Sequence, residues 1–156
     1  MFKPFAVKDV FHRRYYPENA QVSKTGFIAN IPRGMYTALQ WAHKFNLPIY
    51  ITENGVEDSI DRMRPAYIIE HIHQTWRAAN FNWRVKGYFH WTQVDNFEWE
   101  RGWSQRFGLW GLERKTQKRI RRKSVDLYAA ICKENGISSE TVRTYAPEIF
   151  EKLFPE

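Results

Sequence analysis

A buried β-strand is predicted at Ile49-Tyr50-Ile51-Thr52, and Glu53-Asn54-Gly55 follows it directly. The four strand residues are β-prone and almost all apolar, which is typical of a strand covered on both faces in a parallel sheet. Asn54 and Gly55 favour a sharp turn. The stretch therefore predicts a buried strand whose carboxyl end carries a carboxylate, Glu53.

Helical and strand patterns alternate on both sides of this stretch. Apolar residues at helical spacing, with proline at two starts and Ser124 as an N-cap, predict four helices at about 32–45, 65–79, 124–136 and 147–153. A second strand is predicted from Val85 to Thr92, and a strand-like piece from Phe107 to Leu112. This alternation predicts an α/β fold with parallel strands.

The chain has too few strands for a closed fold. Its 156 residues are enough for one domain. Residues Met1 to Ile31 show neither a helical nor a strand periodicity, so we expect an irregular lead-in that contributes little core. Two parallel strands do not make an independently stable sheet, and a (β/α)₈ barrel typically needs about 250 residues. We expect one partial domain over 1–156, with the βα units in 32–156.

The formal net charge of +7 is concentrated in one run between a strand and a helix. The run consists of Arg114, Lys115, Lys118, Arg119, Arg121, Arg122 and Lys123. It contains no aromatic residue to stack on a base, so a solvated connector is favoured over a nucleic-acid site. No segment reads as a signal peptide or a membrane span, which predicts a cytoplasmic protein.

Sugar-binding residue types follow the second predicted strand. They are Trp91, Asp95, Asn96, Glu98, Trp99 and Trp103. Indole rings stack on the C–H faces of sugars, and carboxylates and amides bind the hydroxyls. Both strands are expected to end at the same side of the sheet, which would bring this set close to Glu53. Trp41, Trp76 and Cys132 lie on predicted helices, and we expect them in the core.

Other chemistries lack a motif. His71 and His73 stand two residues apart on a predicted helix, so they point to different faces and a shared metal ion is not expected. The sequence contains no glycine-rich phosphate loop, no Ser/His/Asp order and no CxxC. We therefore expect neither a cofactor nor a metal.

Two motifs resemble those of family 1 glycoside hydrolases. Residues 51–55, Ile-Thr-Glu-Asn-Gly, resemble the nucleophile motif, and 87–99 followed by Arg106-Phe107-Gly108-Leu109 resemble the second signature. The resemblance implies a (β/α)₈ TIM barrel, of which this chain would be the C-terminal portion with strands 7 and 8. It also implies a retaining β-glycosidase, with Glu53 as nucleophile and Trp91, Glu98, Trp99 and Phe107 as substrate-binding residues.

The family's acid/base lies in an Asn-Glu-Pro motif, and this sequence contains none. The resemblance therefore implies a fragment of a glycosidase for a β-glycoside or small oligosaccharide, which holds the nucleophile, lacks the acid/base and is inactive or nearly so alone. Two alternatives stay open. One is a split enzyme in which a separate polypeptide supplies the first six strands, and the other is a non-catalytic sugar-binding or interaction fragment.

Overall fold

The structure, a computed structural model, describes residues 16–156 and the backbone of residues 2–3 and 13–14. The rest of the predicted lead-in lies outside the described residues. Five α-helices lie among these described residues: α1 (Pro32–His43), α2 (Arg64–Asn80), α3 (Lys123–Glu134), α4 (Ser139–Tyr145) and α5 (Phe150–Leu153). The strands are β1 (Phe2–Lys3), β2 (Arg13–Arg14), β3 (Ile49–Asn54), β4 (Val85–His90), β5 (Trp110–Leu112) and β6 (Arg119–Arg121).

The central pair of strands is parallel, as predicted. β3 pairs with β4 in a register that places Ile49 opposite Val85 and Asn54 opposite His90. Helix α2 connects the two strands, and α1 precedes them. Because the strands are parallel, Glu53 and Trp91 lie at the same end of the sheet. In the described part of the chain each sheet has two strands, and the other two pairs, β1–β2 and β5–β6, are antiparallel.

The prediction that β3 is covered on both faces is wrong for this chain. Tyr50 on β3 and Phe89 on β4 are each 57% exposed. Both rings lie on the same face as Gly87, since a Cβ built there would be 3.0 Å from Tyr50 Cδ1 and 3.5 Å from Phe89 Cε2. The helices cover only the opposite face. The apolar run at 49–52 therefore includes a sheet face that the described residues do not cover.

The core lies between α2, α3 and α4. Its buried residues are Ala66, Ile68, Ile69, Leu109, Leu127, Ile131, Val142 and Ala146. Helix α4 was not predicted, because its seven residues contain too few apolar positions for a helical period. Ser138 caps it, its side chain accepting a hydrogen bond from the Thr141 N–H at 3.1 Å. Burial of Val142 then fixes the helix on the core.

Several side chains predicted to be buried are exposed. Trp41 is 62% exposed and Trp76 is 55% exposed, and Cys132 is exposed on α3. These three core predictions are wrong, because helical spacing identifies an apolar stripe without identifying what covers it. Ser124 is also not the N-cap of α3. It is fully buried inside the first turn, and its N–H donates to Asp61 Oδ2 at 2.6 Å.

The described end of the lead-in does contribute to packing. Residues 21–30 form a turn in which Val22 and Ala29 pair. Ser23 is buried and donates to the Glu57 carboxylate, as does Thr25. Ile28 packs on a second apolar cluster, which consists of Val56, Met63 and Tyr67. The segment still adds little core, as expected, because Ser23 is the one buried residue among 16–31 and Ile28 is only partly buried.

The basic run is partly built into the fold. Its residues 119–121 form β6, and four of its side chains contact other parts of the chain: Arg114 lies over the Trp103 ring, Arg121 pairs with Asp126, Arg122 with Asp95, and the Lys123 ammonium donates to the Tyr145 carbonyl. Every cation of the run except Arg122 is exposed, so the run is largely solvated, as favoured from the sequence, and Arg122 ties it to the fold. Among the described residues, none of the helices combines the length and apolar character that a membrane crossing needs.

Candidate active site

Glu53 lies exposed at the carboxyl end of β3, and the residue after it is held firmly. The Asn54 amide nitrogen donates to the Tyr67 hydroxyl at 3.0 Å, and the Tyr88 hydroxyl donates to Asn54 Oδ1 at 2.8 Å. Burial raises the pKa of Tyr67 to about 12 and raises the pKa of Tyr88 well above 10.0, so both hydroxyls keep their protons at neutral pH. Helix α2 and strand β4 therefore both anchor the chain beside Glu53.

The two strand ends touch at Gly55 and Trp91. The Trp91 N–H donates to the Asn54 carbonyl at 3.0 Å. A Cβ placed on Gly55 would be 1.7 Å from the Trp91 carbonyl oxygen, which is far inside contact distance. The peptide bond between Trp91 and Thr92 is cis. Glycine is thus required at position 55 by the close approach of the second strand.

We expect Gly55→Ala to destabilise the chain by about 3 kcal/mol or more, because backbone atoms rather than a flexible side chain oppose the added methyl group. Urea unfolding followed by circular dichroism measures this change. Gly34→Ala is the matched control, since a Cβ there meets nothing within 4 Å and the position is helical. The control should be neutral or slightly stabilising. Equal effects of the two substitutions would contradict the close approach of Trp91 to Gly55.

Glu98 reaches back to the strand end. The Trp91 indole N–H donates to Glu98 Oε1 at 3.3 Å. The pKa of Glu98 is raised, mainly because the carboxylate is partly buried. The hydrogen bond from the Trp91 indole opposes this rise, whereas the negative charges of Glu53 and Asp95 add to it. The Glu53 charge is therefore close enough to act on Glu98. The structure brings Glu53, Trp91 and Glu98 into one region.

The remaining predicted site residues differ in exposure. Trp99 is 79% exposed and adopts a φ of 47°, which is an uncommon backbone conformation for a bulky residue. Phe107 is 5% exposed and packs edge-on against Phe27, with ring centroids 6.4 Å apart. Trp103 contacts the Phe97 ring and the guanidinium groups of two arginines. Only Trp99 in this group presents a widely open indole face.

Asp95 was expected among the sugar-facing groups, and this expectation is wrong. The residue is 3% exposed, and its carboxylate accepts from Arg122 at 2.9 and 3.0 Å. It also accepts from the backbone N–H groups of Gly108 and Leu112. A Cβ on Gly108 would be 2.2 Å from the Asp95 nitrogen, so this loop is closely packed. Asp95 shapes the loop that carries Glu98 and Trp99.

His90 lies behind this site without a normal hydrogen bond. Both of its ring nitrogens are buried and unpartnered among the described residues, and the ring is 6.0 Å from that of Tyr128. Burial, reinforced by the Arg64 charge, lowers the pKa of His90 from 6.5 to about 3, while backbone groups of Phe107 and Asn54 oppose the shift. His71, in the Tyr67 stack, has a pKa lowered to about 4, mainly by burial.

We expect the free energy of unfolding to fall by about 2 kcal/mol through His90 as the pH drops from 7 to 5. The folded-state pKa lies below the unfolded value, so below about pH 6.5 the unfolded chain binds a proton that the folded chain does not. Urea unfolding at pH 5, 6 and 7 measures the slope. His90→Phe should reduce this slope and leave the part that His71, whose pKa is also lowered, contributes in the same pH range. An unchanged slope in His90→Phe would contradict this origin of the pH dependence.

No group of three or more His, Cys, Asp or Glu side chains within residues 16–156 is placed to hold a metal ion. The site chemistry available from the described residues is therefore that of an exposed carboxylate, a second carboxylate bonded to an indole, and an exposed aromatic face. The tyrosine pair at Asn54 was not predicted from the sequence. The sequence shows only that α2 and β4 each contain a tyrosine, Tyr67 and Tyr88, and a tyrosine in either element is equally well explained by ordinary core packing.

Comparison with known proteins agrees with this arrangement. The sequence model described as Glycosyl hydrolase family 1 matches residues 7–137. A β-galactosidase of Pyrococcus woesei is 46% identical over 110 residues, covering 70% of this chain and 22% of the relative. β-Glucosidase A of Thermotoga maritima is 39% identical over 118 residues, covering 69% of this chain and 26% of the relative.

Solved structures give the same result. The β-glycosidase of Thermosphaera aggregans superposes with a TM-score of 0.77 at 40% identity, covering 80% of this chain and 26% of that chain. The Thermotoga maritima β-glucosidase in complex with glucoimidazole has a TM-score of 0.73 at 34% identity, covering 80% of this chain and 30% of that chain. This chain thus spans about a quarter of the length of the relatives it matches. It belongs to glycosyl hydrolase family 1.

Proposed function

We propose that this chain is the nucleophile-bearing part of a retaining β-glycosidase. The proposal rests on the position of Glu53, Trp91 and Glu98 at one end of a parallel strand pair. The Trp91 indole N–H also donates a hydrogen bond to the Glu98 carboxylate. Functional side chains at the carboxyl ends of parallel strands are the usual arrangement of barrel enzymes. The neighbouring Trp99 offers an exposed stacking face.

In this mechanism the Glu53 carboxylate attacks the anomeric carbon, the C–O bond to the leaving group breaks, and a glycosyl ester forms. A second carboxyl group about 5 to 5.5 Å away protonates the leaving group and later activates the water that cleaves the ester. The sequence has no Asn-Glu-Pro motif to supply that group. We propose that 1–156 is a partial domain and incomplete barrel, and that a separate polypeptide supplies the first six strands and the acid/base.

The proposed substrate is an unphosphorylated β-glucoside or β-galactoside. Related proteins of this family are named β-galactosidase and β-glucosidase, and one is solved with glucoimidazole. A phosphate on the sugar would be repelled by the Glu98 carboxylate. Nucleic acid is a poor candidate partner, because the basic run contains no aromatic residue to stack on a base.

An assay with and without the missing part tests this proposal. The probe partner is the portion of the Pyrococcus woesei β-galactosidase that has no counterpart in this chain. We expect no release of 4-nitrophenol from 4-nitrophenyl β-D-glucoside or galactoside by either polypeptide alone, and release by the mixture. Normal activity of the isolated chain would disprove the need for a second polypeptide. An inactive mixture that forms a complex would disprove the catalytic role.

A second candidate function is sugar binding without catalysis, which the 79% exposure of Trp99 favours. It predicts that glucose or cellobiose quenches the tryptophan fluorescence of the isolated chain, and that Glu53→Gln leaves the quenching intact. Trp99→Ala should remove it, whereas Trp41→Ala, on the far end of α1, should not. Quenching that disappears with Glu53→Gln would point back to the catalytic proposal.

A further inference from the structure

Asn54, the residue that follows Glu53, uses its side chain inside the protein. Its amide nitrogen donates to the Tyr67 hydroxyl at 3.0 Å, and its Oδ1 accepts from the Tyr88 hydroxyl at 2.8 Å. Its backbone carbonyl accepts from the Trp91 N–H at 3.0 Å. An amide side chain that is bonded through both its oxygen and its nitrogen has a fixed orientation. This bonding favours a structural hold on the strand end over a contact with the sugar.

The strand ladder does not hold Glu53 directly. Ile51 pairs with Tyr88 and Asn54 pairs with His90, and the register of β3 with β4 shifts between these two pairs. Glu53 lies within this irregular stretch, and its side chain is exposed. A residue outside the regular pairing is less restrained than a paired one. The position of Glu53 therefore depends on Asn54, the next fixed residue along the chain.

The two tyrosines belong to elements that are packed in the core. Tyr67 lies on α2, is 4% exposed, and is followed by Ile68 and Ile69, which are both fully buried. Tyr88 lies on β4, and its backbone carbonyl accepts from the Tyr128 hydroxyl on α3 at 3.1 Å. A tyrosine ring has few rotamers, so its hydroxyl has a well-defined position when the ring is packed. Both hydroxyls therefore offer Asn54 fixed partners.

We propose that Tyr67, Asn54 and Tyr88, which we name the Asn54 clamp, are positioning residues that hold the Glu53 carboxylate at attack distance from the anomeric carbon. This inference rests on the nucleophilic role proposed for Glu53 and names what keeps that group in place. The clamp acts through the backbone between Asn54 and Glu53. A misplacement of about 1 Å can lower a rate by about 100-fold, so the loss of one hydroxyl should be measurable.

The first test is amide hydrogen exchange on the full isolated chain. Exchange at 53–55 should be at least about 10-fold faster in Tyr88→Phe than in wild type, because the strand end then opens more often. Tyr128→Phe is the matched control, since it also removes a hydroxyl that bonds to β4 but does not touch Asn54. It should exchange as wild type at 53–55. Equal exchange in Tyr88→Phe and wild type would overturn the proposal.

The second test measures kcat and KM for 4-nitrophenyl β-D-glucoside in the mixture with the portion of the Pyrococcus woesei β-galactosidase that has no counterpart in this chain. Tyr88→Phe and Tyr67→Phe should each lower kcat at least about 10-fold and change KM by less than about 2-fold, because only the nucleophile is displaced. Tyr128→Phe should keep kcat within about 2-fold of wild type. Circular dichroism melts of the three variants verify that they fold.

An azide assay separates positioning of Glu53 from support of the whole site. In the Glu53→Ala background, azide attacks the anomeric carbon, the C–O bond to 4-nitrophenolate breaks, and a glycosyl azide forms. Azide is not held by the clamp, so adding Tyr88→Phe should change this azide-dependent rate by less than about 2-fold. An equal loss of rate with azide and with the Glu53 carboxylate would overturn the proposal, because the tyrosine would then support the site as a whole.

The kinetic outcomes distinguish this proposal from the proposed function. Active wild type with unchanged kcat in Tyr88→Phe and Tyr67→Phe would overturn the clamp and leave Glu53 as the nucleophile. A wild-type complex without hydrolysis would reject the catalytic role of Glu53 and the clamp proposal together. Loss of kcat in both phenylalanine variants, with KM and the azide-dependent rate retained, would support the clamp.

Discussion

Glu53→Gln is expected to lower hydrolysis of 4-nitrophenyl β-D-glucoside by the assembled enzyme by at least about 10⁴-fold, or about 5.5 kcal/mol in the activation barrier. An amide has the same shape as the carboxylate but is a far weaker nucleophile, so the glycosyl ester should not form at a useful rate. The sugar contacts proposed for Trp91, Glu98 and Trp99 should be unchanged, and the KM should therefore move much less than kcat.

The measurement is kcat and KM of the mixture of this chain with the missing portion of the Pyrococcus woesei relative. Glu140→Gln, in the first turn of α4, is the control for loss of one carboxylate elsewhere. It should retain full activity. If Glu53→Gln kept more than about a hundredth of the rate, the nucleophile would be a different residue.

Arg122→Met is expected to lower the free energy of unfolding by about 3 to 5 kcal/mol, because it leaves a buried carboxylate without its main partner. Asp95 is 3% exposed, and both of its oxygens accept hydrogen bonds from the Arg122 guanidinium. Arg106 remains only as a longer contact, with its Nη1 3.6 Å from Asp95 Oδ2. Most of the expected loss comes from keeping an unpaired charge away from water.

Urea unfolding monitored by circular dichroism measures this loss. Arg119→Met is the matched control, since Arg119 is exposed on β6 in the same hairpin. It should change stability by no more than about 0.5 kcal/mol. Asp95→Asn in the Arg122→Met background should restore part of the loss by removing the unpaired charge. A loss below about 1 kcal/mol in Arg122→Met would mean that the loop does not depend on this ion pair.

Local sequence patterns predicted the elements that lie next to each other along the chain. Helices α1 and α2 and strands β3 and β4 were all predicted, because each has a period or an apolar run of its own and clear turn residues between them. Helix α4 was missed, since it is short and held by one cap and by burial of Val142. β6 was missed because its three residues lie in a run of cations.

Some residues of the candidate site were predicted correctly from the sequence and others were not. Glu53, Trp91, Glu98 and Trp99 were selected by motif and by position after strands, and the parallel pairing confirmed that both strands end together. The assignment of Asp95 to the sugar side failed because its partner, Arg122, is 27 residues away and no local pattern connects them. The tyrosines that hydrogen bond to Asn54 are likewise distant in sequence: Tyr67 is 13 residues away and Tyr88 is 34 residues away.

Local patterns alone were enough to predict the order of helix, strand, helix and strand, with a carboxylate after the first strand and an indole after the second. These features depend on periodicity and turn chemistry, which act over a few residues. Which apolar faces are covered could be seen only from the packing of the folded chain. On α2, Ile68 and Ile69 are buried while Trp76 is exposed, and Tyr50 and Phe89 on the strands are exposed as well, because burial depends on distant segments that the local pattern does not contain.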